Sequence, residues 1–264
     1  LIIQDEMHLM TGPLGTMVGL FETAVDALCR YDNGQVPKVI ASTATAARAG
    51  DQILGLYARK ESMVFPPPGL DAADSFFARE APDKPGRLYV GVLAPGHGSM
   101  QTTQRNVYAA LAQGAADLAA DIHAGTHGSP EERNKAAASV ADPWWTLLAY
   151  YNSLRELGGA LTLFGADIPD QLGVLRKRRA IDANRSRRVY VDGRVLELTS
   201  RLDSGEVPQA LRSLESQLSE FLPGKEGSFS VNSKYGPQDA CLASNIIEVG
   251  VDVPRLSLMA IVGQ

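Results

Sequence analysis

An aliphatic run, Leu1-Ile2-Ile3, leads across one polar residue to two adjacent carboxylates, Asp5 and Glu6, and two residues later to the imidazole of His8. A short aliphatic run reads as a buried parallel strand, and acids at its end stand at the sheet's carboxyl edge, where open α/β sheets bind ligands. Two carboxylates placed there can divide a hydrolytic reaction. Asp5 would hold a Mg²⁺ that bridges phosphates, and Glu6 would orient and deprotonate the attacking water. Acids at strand ends are common, so the pair alone identifies nothing.

The elements that must position these groups follow from hydrophobic spacing. "LIIQ" reads as a strand, "GTMVGLFETAVDALCRY" as a helix, and "PKVIASTATA" as a second strand ending in hydroxyls, which together make a βαβ unit. "VFPPPGLDAADSFFARE" carries three consecutive prolines and reads as a linker. Beyond it the sequence predicts a strand in "RLYVGVLAP", a long Ala-rich helix from about 101 to 122, and a loop in "HAGTHGSPEER". A strand passing into a helix follows in "WWTLLAYYNSLRELGGA", then a basic, partly helical segment over 170–190 and a strand in "RVLELTSRL". "VPQALRSLESQLSEFL" reads as one amphipathic helix with Leu211, Leu214, Leu218 and Leu222 on a face, and "DACLASN" and "LSLMAIVG" as two more strands. Such alternation predicts an α/β fold with mostly parallel sheets.

With 264 residues, 45% hydrophobic and 21% charged, the composition is globular and sufficient for one large or two smaller domains. A formal charge of −5 argues against a uniformly basic nucleic-acid binder, so any phosphate-binding surface must be local. Cys29 and Cys241 lie too far apart for a metal or redox motif, and no segment has the length of a membrane span or the basic start of a signal peptide. A cytoplasmic protein is expected.

Two further stretches give the acid pair a context. "ASTATA" (41–46) follows the second strand, and "ASNIIEVGVDVPRL" (243–256) follows a strand near the end. With these the chain resembles the superfamily 2 helicases of the DExH type: "DEMH" is similar to their motif II, "TAT" (43–45) to motif III and "SNIIEVGVDVP" to motif V. Within that superfamily, "QDEMHLMTGPLGTMVGLFETAVDAL", "FPPPGLDAADSFFA", "YYNSLRELGGA" and "EVGVDVPRLSLMAIVGQ" resemble the helicase component of DISARM phage-defence systems, the DrmA type.

The resemblance implies tandem RecA-like (P-loop NTPase) domains: residues 1–62 the later part of a truncated first domain, 63–86 a Pro-rich linker, and 87–264 a second domain with a helical insertion at about 100–142. It implies ATP and Mg²⁺ as cofactors, bound between the domains, and DNA and other defence proteins as partners. Asp5 would bind Mg²⁺ and Glu6 would be the catalytic base. His8, Thr43 and Thr45 would couple nucleotide state to the second domain, Ser244 and Asn245 would contact nucleic acid, and Gly250 and Asp252 would face the nucleotide. The expected activity is that of an ATP-dependent DNA helicase or translocase.

Departures accompany the match. No G-x-x-x-x-G-K-[ST] phosphate loop occurs, and the chain stops at "IVGQ", before the arginine-bearing motif VI. The expectation is therefore a partial sequence, unable to hydrolyse ATP by itself. Gln4 stands where an apolar residue is usual.

"RKRRAIDANRSRR" (176–188) gathers seven basic residues around Asp182 and offers Arg176, Arg178, Arg179, Arg185, Arg187 and Arg188 as phosphate contacts, against the ordinary alternative of a solvated helix face. Trp144 and Trp145 have the chemistry to stack on bases but sit where packing anchors are expected. His123 and His127 have ligand spacing only on a helix, which Gly125 and Gly128 disfavour, and His97 lies in a glycine turn. Two other readings stay open: a non-catalytic nucleic-acid-binding scaffold with vestigial helicase motifs, and a repair helicase of the same superfamily. A metal-dependent nuclease on Asp5 and Glu6 lacks further ligands.

Overall fold

The computed structural model describes residues 1–7, 15–43, 48–67, 69–71, 74–93, 98–189, 191–199, 201–203, 205–220, 236–244 and 253–263. The chain divides into two compact units, Leu1–Val90 and Gly91–Gln264.

In the first unit, β1 (Ile2–Gln4) and β2 (Val39–Ala41) pair in parallel, Ile2 beside Val39, Ile3 beside Ile40 and Gln4 beside Ala41. Parallel neighbours require a crossover, which α1 (Gly15–Leu28) supplies. After β2 comes α2 (Ala49–Tyr57), whose Tyr57 hydroxyl donates to Gln4 Oε1 at 2.5 Å. That bond explains the polar residue at the end of β1: the Gln4 side chain is buried but satisfied. Burial, with the nearby Glu22 carboxylate, pushes the Tyr57 phenol up to about 12, which keeps it a donor.

Among the described residues from 58 to 90, pairing is limited to an isolated bridge between Asp74 and Arg79. The apolar run at 88–93, expected as a strand, forms none; Leu88, Tyr89 and Leu93 are exposed. A strand exists through its partner's hydrogen bonds, and no described strand supplies them here.

The second unit is built from α3 (Met100–Gly125), α4 (Pro130–Trp145), β3 (Leu147–Tyr151), α5 (Leu154–Thr162), a π turn (Leu163–Asp167), α6 (Ile168–Arg178), the single turn α7 (Val191–Arg194), β4 (Val195–Leu198), α8 (Val207–Glu215), a 3₁₀ turn (Leu218–Glu220), β5 (Ala240–Ser244) and β6 (Leu258–Val262). Its four described strands are all parallel, in the order β4-β5-β3-β6. The central pair reads as continuous apolar sequence because both faces are covered. Leu147, Ala149 and Tyr151 pack with Tyr108 of α3, Leu157 of α5, and Ile168 and Leu172 of α6. Leu148, Cys241 and Ala243 point to the other face, against Leu198 and against Ala210 and Leu214 of α8. This alternation is the period of two that a strand imposes. No described helix is long and apolar enough to cross a membrane.

α3 and α4 form a helical hairpin whose contact is alanine-rich: Ala115, Ala116 and Ala119 meet Ala138, Ala141 and Trp145, with Leu218 of the 3₁₀ turn. Residues 130–133, expected in a loop, already belong to α4. Ser129 accepts from the Glu132 N–H, the Glu132 side chain accepts from the Ser129 N–H, and Pro130 fills the first helical position. Ser129→Ala is expected to cost about 1 kcal/mol in a thermal melt.

The helix expected to run through Leu222 instead breaks after Glu215. Leu218 donates its backbone N–H to Asp142 Oδ1 at 2.7 Å and is fully buried, so a tertiary bond displaces the next helical one. Leu222 lies outside the described residues.

Candidate functional site

The parallel register carries β1 and β2 side by side to their carboxyl ends, where the backbone stitching continues. Ser42 N–H donates to Gln4 O and Met7 N–H to Ser42 O, each at 2.9 Å. The Ser42 hydroxyl donates to Asp5 Oδ1, and the Glu6 N–H donates to the same oxygen at 2.9 Å. Asp5–Met7 and Ser42 therefore meet at one sheet edge. The Ser42 hydroxyl first, and the Glu6 amide second, hold the Asp5 carboxyl below the usual carboxylate range, so it stays anionic through neutral and mildly acidic pH.

Asp5 is exposed and Glu6 half-buried. Glu6 has φ +52°, the left-handed region that non-glycine residues rarely occupy and that recurs at functional sites. The flanking bonds to Asp5 and Ser42 hold it there. An exposed, pre-ionised carboxylate suits Mg²⁺, which takes one or two protein carboxylates and completes its shell with water and substrate phosphate. Sequence pattern does not single out Ser42, although a hydroxyl directly before "TAT" is its available signal. Thr43 is described and half-buried, whereas His8 and Thr45 lie outside the described residues.

In the second unit Ser244 ends β5 opposite Tyr151, the last residue of β3. Its hydroxyl is buried and has no hydrogen-bond partner among the described residues. One strand over, Asn152 Nδ2 donates to the carbonyls of Val262 and Gly263, and Ser153 caps α5 by accepting from the Glu156 N–H. The carboxyl ends of β3, β5 and β6 are thus brought together. Asn245, Gly250 and Asp252 lie outside the described residues. Downstream of them Arg255 anchors the chain. Its Nε and Nη2 reach the two Asp142 carboxylate oxygens at 3.0 and 3.1 Å, and its Nη1 donates to Leu214 O at 2.8 Å and to Thr146 Oγ1. Thr146 Oγ1 donates in turn to Gln238 O, ahead of β5. A partner 113 residues away leaves no local signal, so nothing in the sequence marks Arg255.

The basic segment separates into three groups. Arg176 and Arg178, in the last turn of α6, and Arg188 are exposed and make no ion pair among the described residues. Arg179 pairs with Asp117 and Arg185 with Asp121, both acids on α3. Arg187 corrects the sequence expectation: its side chain is 1% exposed, paired with Asp239 at 2.5 Å, and its guanidinium lies 3.3 Å from the centre of the Trp145 ring. It is a core residue and cannot reach a phosphate. Arg194 joins the same Asp239 oxygen at 2.7 Å. Trp145 is accordingly buried under Arg187, as a packing anchor, while Trp144 is exposed.

Gln113 fixes this segment to α3. Its Nε2 donates to Arg185 O and to Asp117 Oδ1, and its Oε1 accepts from the Arg187 N–H. His123 lies on α3, but no cluster of three or more metal-type ligands occurs among the described residues.

No protein-family model matches the chain. Over 269 aligned residues it is 42% identical to the DISARM protein DrmA of Bacillus paralicheniformis, an alignment that takes in 100% of this chain and 21% of that protein. The chain spans about a fifth of the length of its relative and resembles DrmA throughout its own.

Proposed function

We propose that this chain is part of a nucleic-acid-dependent ATPase, a helicase or translocase that serves a phage-defence system as a DISARM component. The observation that carries the reading is the bonding of Asp5 and Met7, after β1, to Ser42, after β2, residues far apart in sequence. The α/β architecture with parallel sheets and the 42% identity to DrmA support it.

In this reading the first unit is the later part of one RecA-like domain and the second unit most of another. Mg²⁺, when bound with ATP, neutralises phosphate charge. Asp5, ionised and aimed by Ser42 and the Glu6 amide, is the carboxylate that would hold the metal. Glu6 takes a proton from the attacking water. Ser42, bonded to Asp5, and Thr43 next to it couple the acids to the second strand, so a change at the phosphates alters hydrogen bonds at the end of β2. In the second unit, the exposed arginines Arg176, Arg178 and Arg188 bind the nucleic-acid backbone, whereas the Ser244 hydroxyl is buried.

Asp5→Asn in the full-length protein is expected to abolish Mg²⁺-dependent ATP hydrolysis, because the amide keeps its size but loses the charge that holds the cation. Hydrolysis with unchanged Mg²⁺ dependence in Asp5→Asn would sink the assignment of Asp5.

A further inference from the structure

The ion pairs on α3 bear on how a nucleic acid would reach the basic segment. Gln113, Asp117 and Asp121 follow one another at four-residue steps, on one face and about 6 Å apart along the axis. Gln113 is fully buried and clasps the backbone at Arg185 and Arg187. The two aspartates beyond it receive Arg179 and Arg185. The backbone of the segment is thus fixed while these guanidiniums stay in reach of solvent, with side chains 56% and 41% exposed. Arg176, Arg178 and Arg188 project from the same segment without ion pairs among the described residues. Arg185, with Asp182, Asn184, His123 and Ala124, also walls an open cavity of about 430 Å³, room for a sugar or base beside a bound phosphate.

We infer that Asp117 and Asp121 occupy Arg179 and Arg185 in place of nucleic-acid phosphate, and that a single strand binds this face by exchanging carboxylate for phosphate. The inference rests on the reading that the protein acts on nucleic acid. Exposed ion pairs are weak enough to be exchanged, and a phosphate offers a guanidinium the same forked acceptor geometry that a carboxylate does. Arg176, Arg178 and Arg188 make the first contacts. Arg179 and Arg185 follow, and each carboxylate they leave takes up a cation from solution. That uptake offsets the counterions released from the strand, so the native surface has a shallower salt dependence than its arginine count implies.

The test is binding of a fluorescein-labelled single-stranded oligothymidylate to the full-length protein across a salt series, by anisotropy. Asp117→Asn with Asp121→Asn is expected to tighten binding of the order of tenfold at low salt and to steepen the plot of log affinity against log salt, by up to about 1.4 for two added contacts. In a background of Arg179→Ala with Arg185→Ala, the same Asn pair is expected to change nothing. An equal gain in both backgrounds would reduce the aspartates to general surface charge and overturn the inference, as would no gain or no binding in either. Asp121 is 68% exposed, so Asp121→Asn alone, read against Arg185→Ala, decides the same question should the double variant misfold. None of these measurements uses ATP, so their failure and that of the ATPase reading are separable.

Discussion

Asp239→Ala is expected to destabilise the second unit by about 3 to 5 kcal/mol, the range for removing one partner from a buried ion pair. Asp239 is 1% exposed, and its Oδ1 receives both Arg187 and Arg194. Without it, two guanidiniums remain in a site from which water is excluded. The Trp145 ring and a marginal 3.5 Å bond to Trp145 O compensate the Arg187 charge far less than a carboxylate does. Because Asp239 also receives the chain into β5 through its backbone, donating to Arg194 O and accepting from the Leu147 N–H, disruption there reaches β3 and β4 as well. The midpoint of the second unit's thermal transition should fall by roughly 6 to 20 °C. Arg187→Met is expected to cost less, since Asp239 then keeps Arg194. A fall of only a degree or two in Asp239→Ala would show that water reaches the triad.

Glu6→Gln is expected to remove turnover while leaving nucleotide binding in place. A positioned general base contributes about 10² to 10⁴-fold, and glutamine keeps the volume and hydrogen-bonding reach of glutamate while losing its basicity. Asp5 is untouched by the substitution, and its anionic form is set by Ser42 and the backbone amide, so Mg²⁺ and ATP binding should persist. The expected outcome is a protein that binds ATP normally and scarcely turns it over. Equal loss of binding and turnover would mean instead that residue 6 supports the backbone of the edge, where its φ of +52° already marks an unusual conformation.

Much of this architecture was legible in the sequence because it was written in local periodicity. The aliphatic runs at 2–4, 39–41, 147–151, 240–244 and 258–262 are strands, and they had to be parallel because helices separate most of them. The resemblance assigned Asp5 and the stretch after β2 to one machinery, but it did not mark Ser42, the residue that makes the contact. Features decided by distant partners were not legible. The run at 88–93 has strand composition but no described strand beside it. The 207–222 helix stops where Asp142 captures the Leu218 amide. A charge run reads as surface, yet Arg187 turns inward because Asp239 and Trp145 await it from elsewhere in the chain. "SPEE" is a local signal that composition hid, since a capping serine, a proline and a glutamate announce α4 without help from tertiary structure.

The role proposed for the edge formed by Asp5, Glu6 and Ser42 is ATP hydrolysis in response to nucleic acid. The direct measurement is steady-state ATP hydrolysis by the full-length protein, with and without single-stranded DNA, beside its Glu6→Gln variant. Turnover should be stimulated by DNA and lost in the variant under both conditions. Absent turnover, or turnover indifferent to Glu6→Gln, would contradict it and leave a nucleic-acid-binding scaffold as the better reading of the same fold.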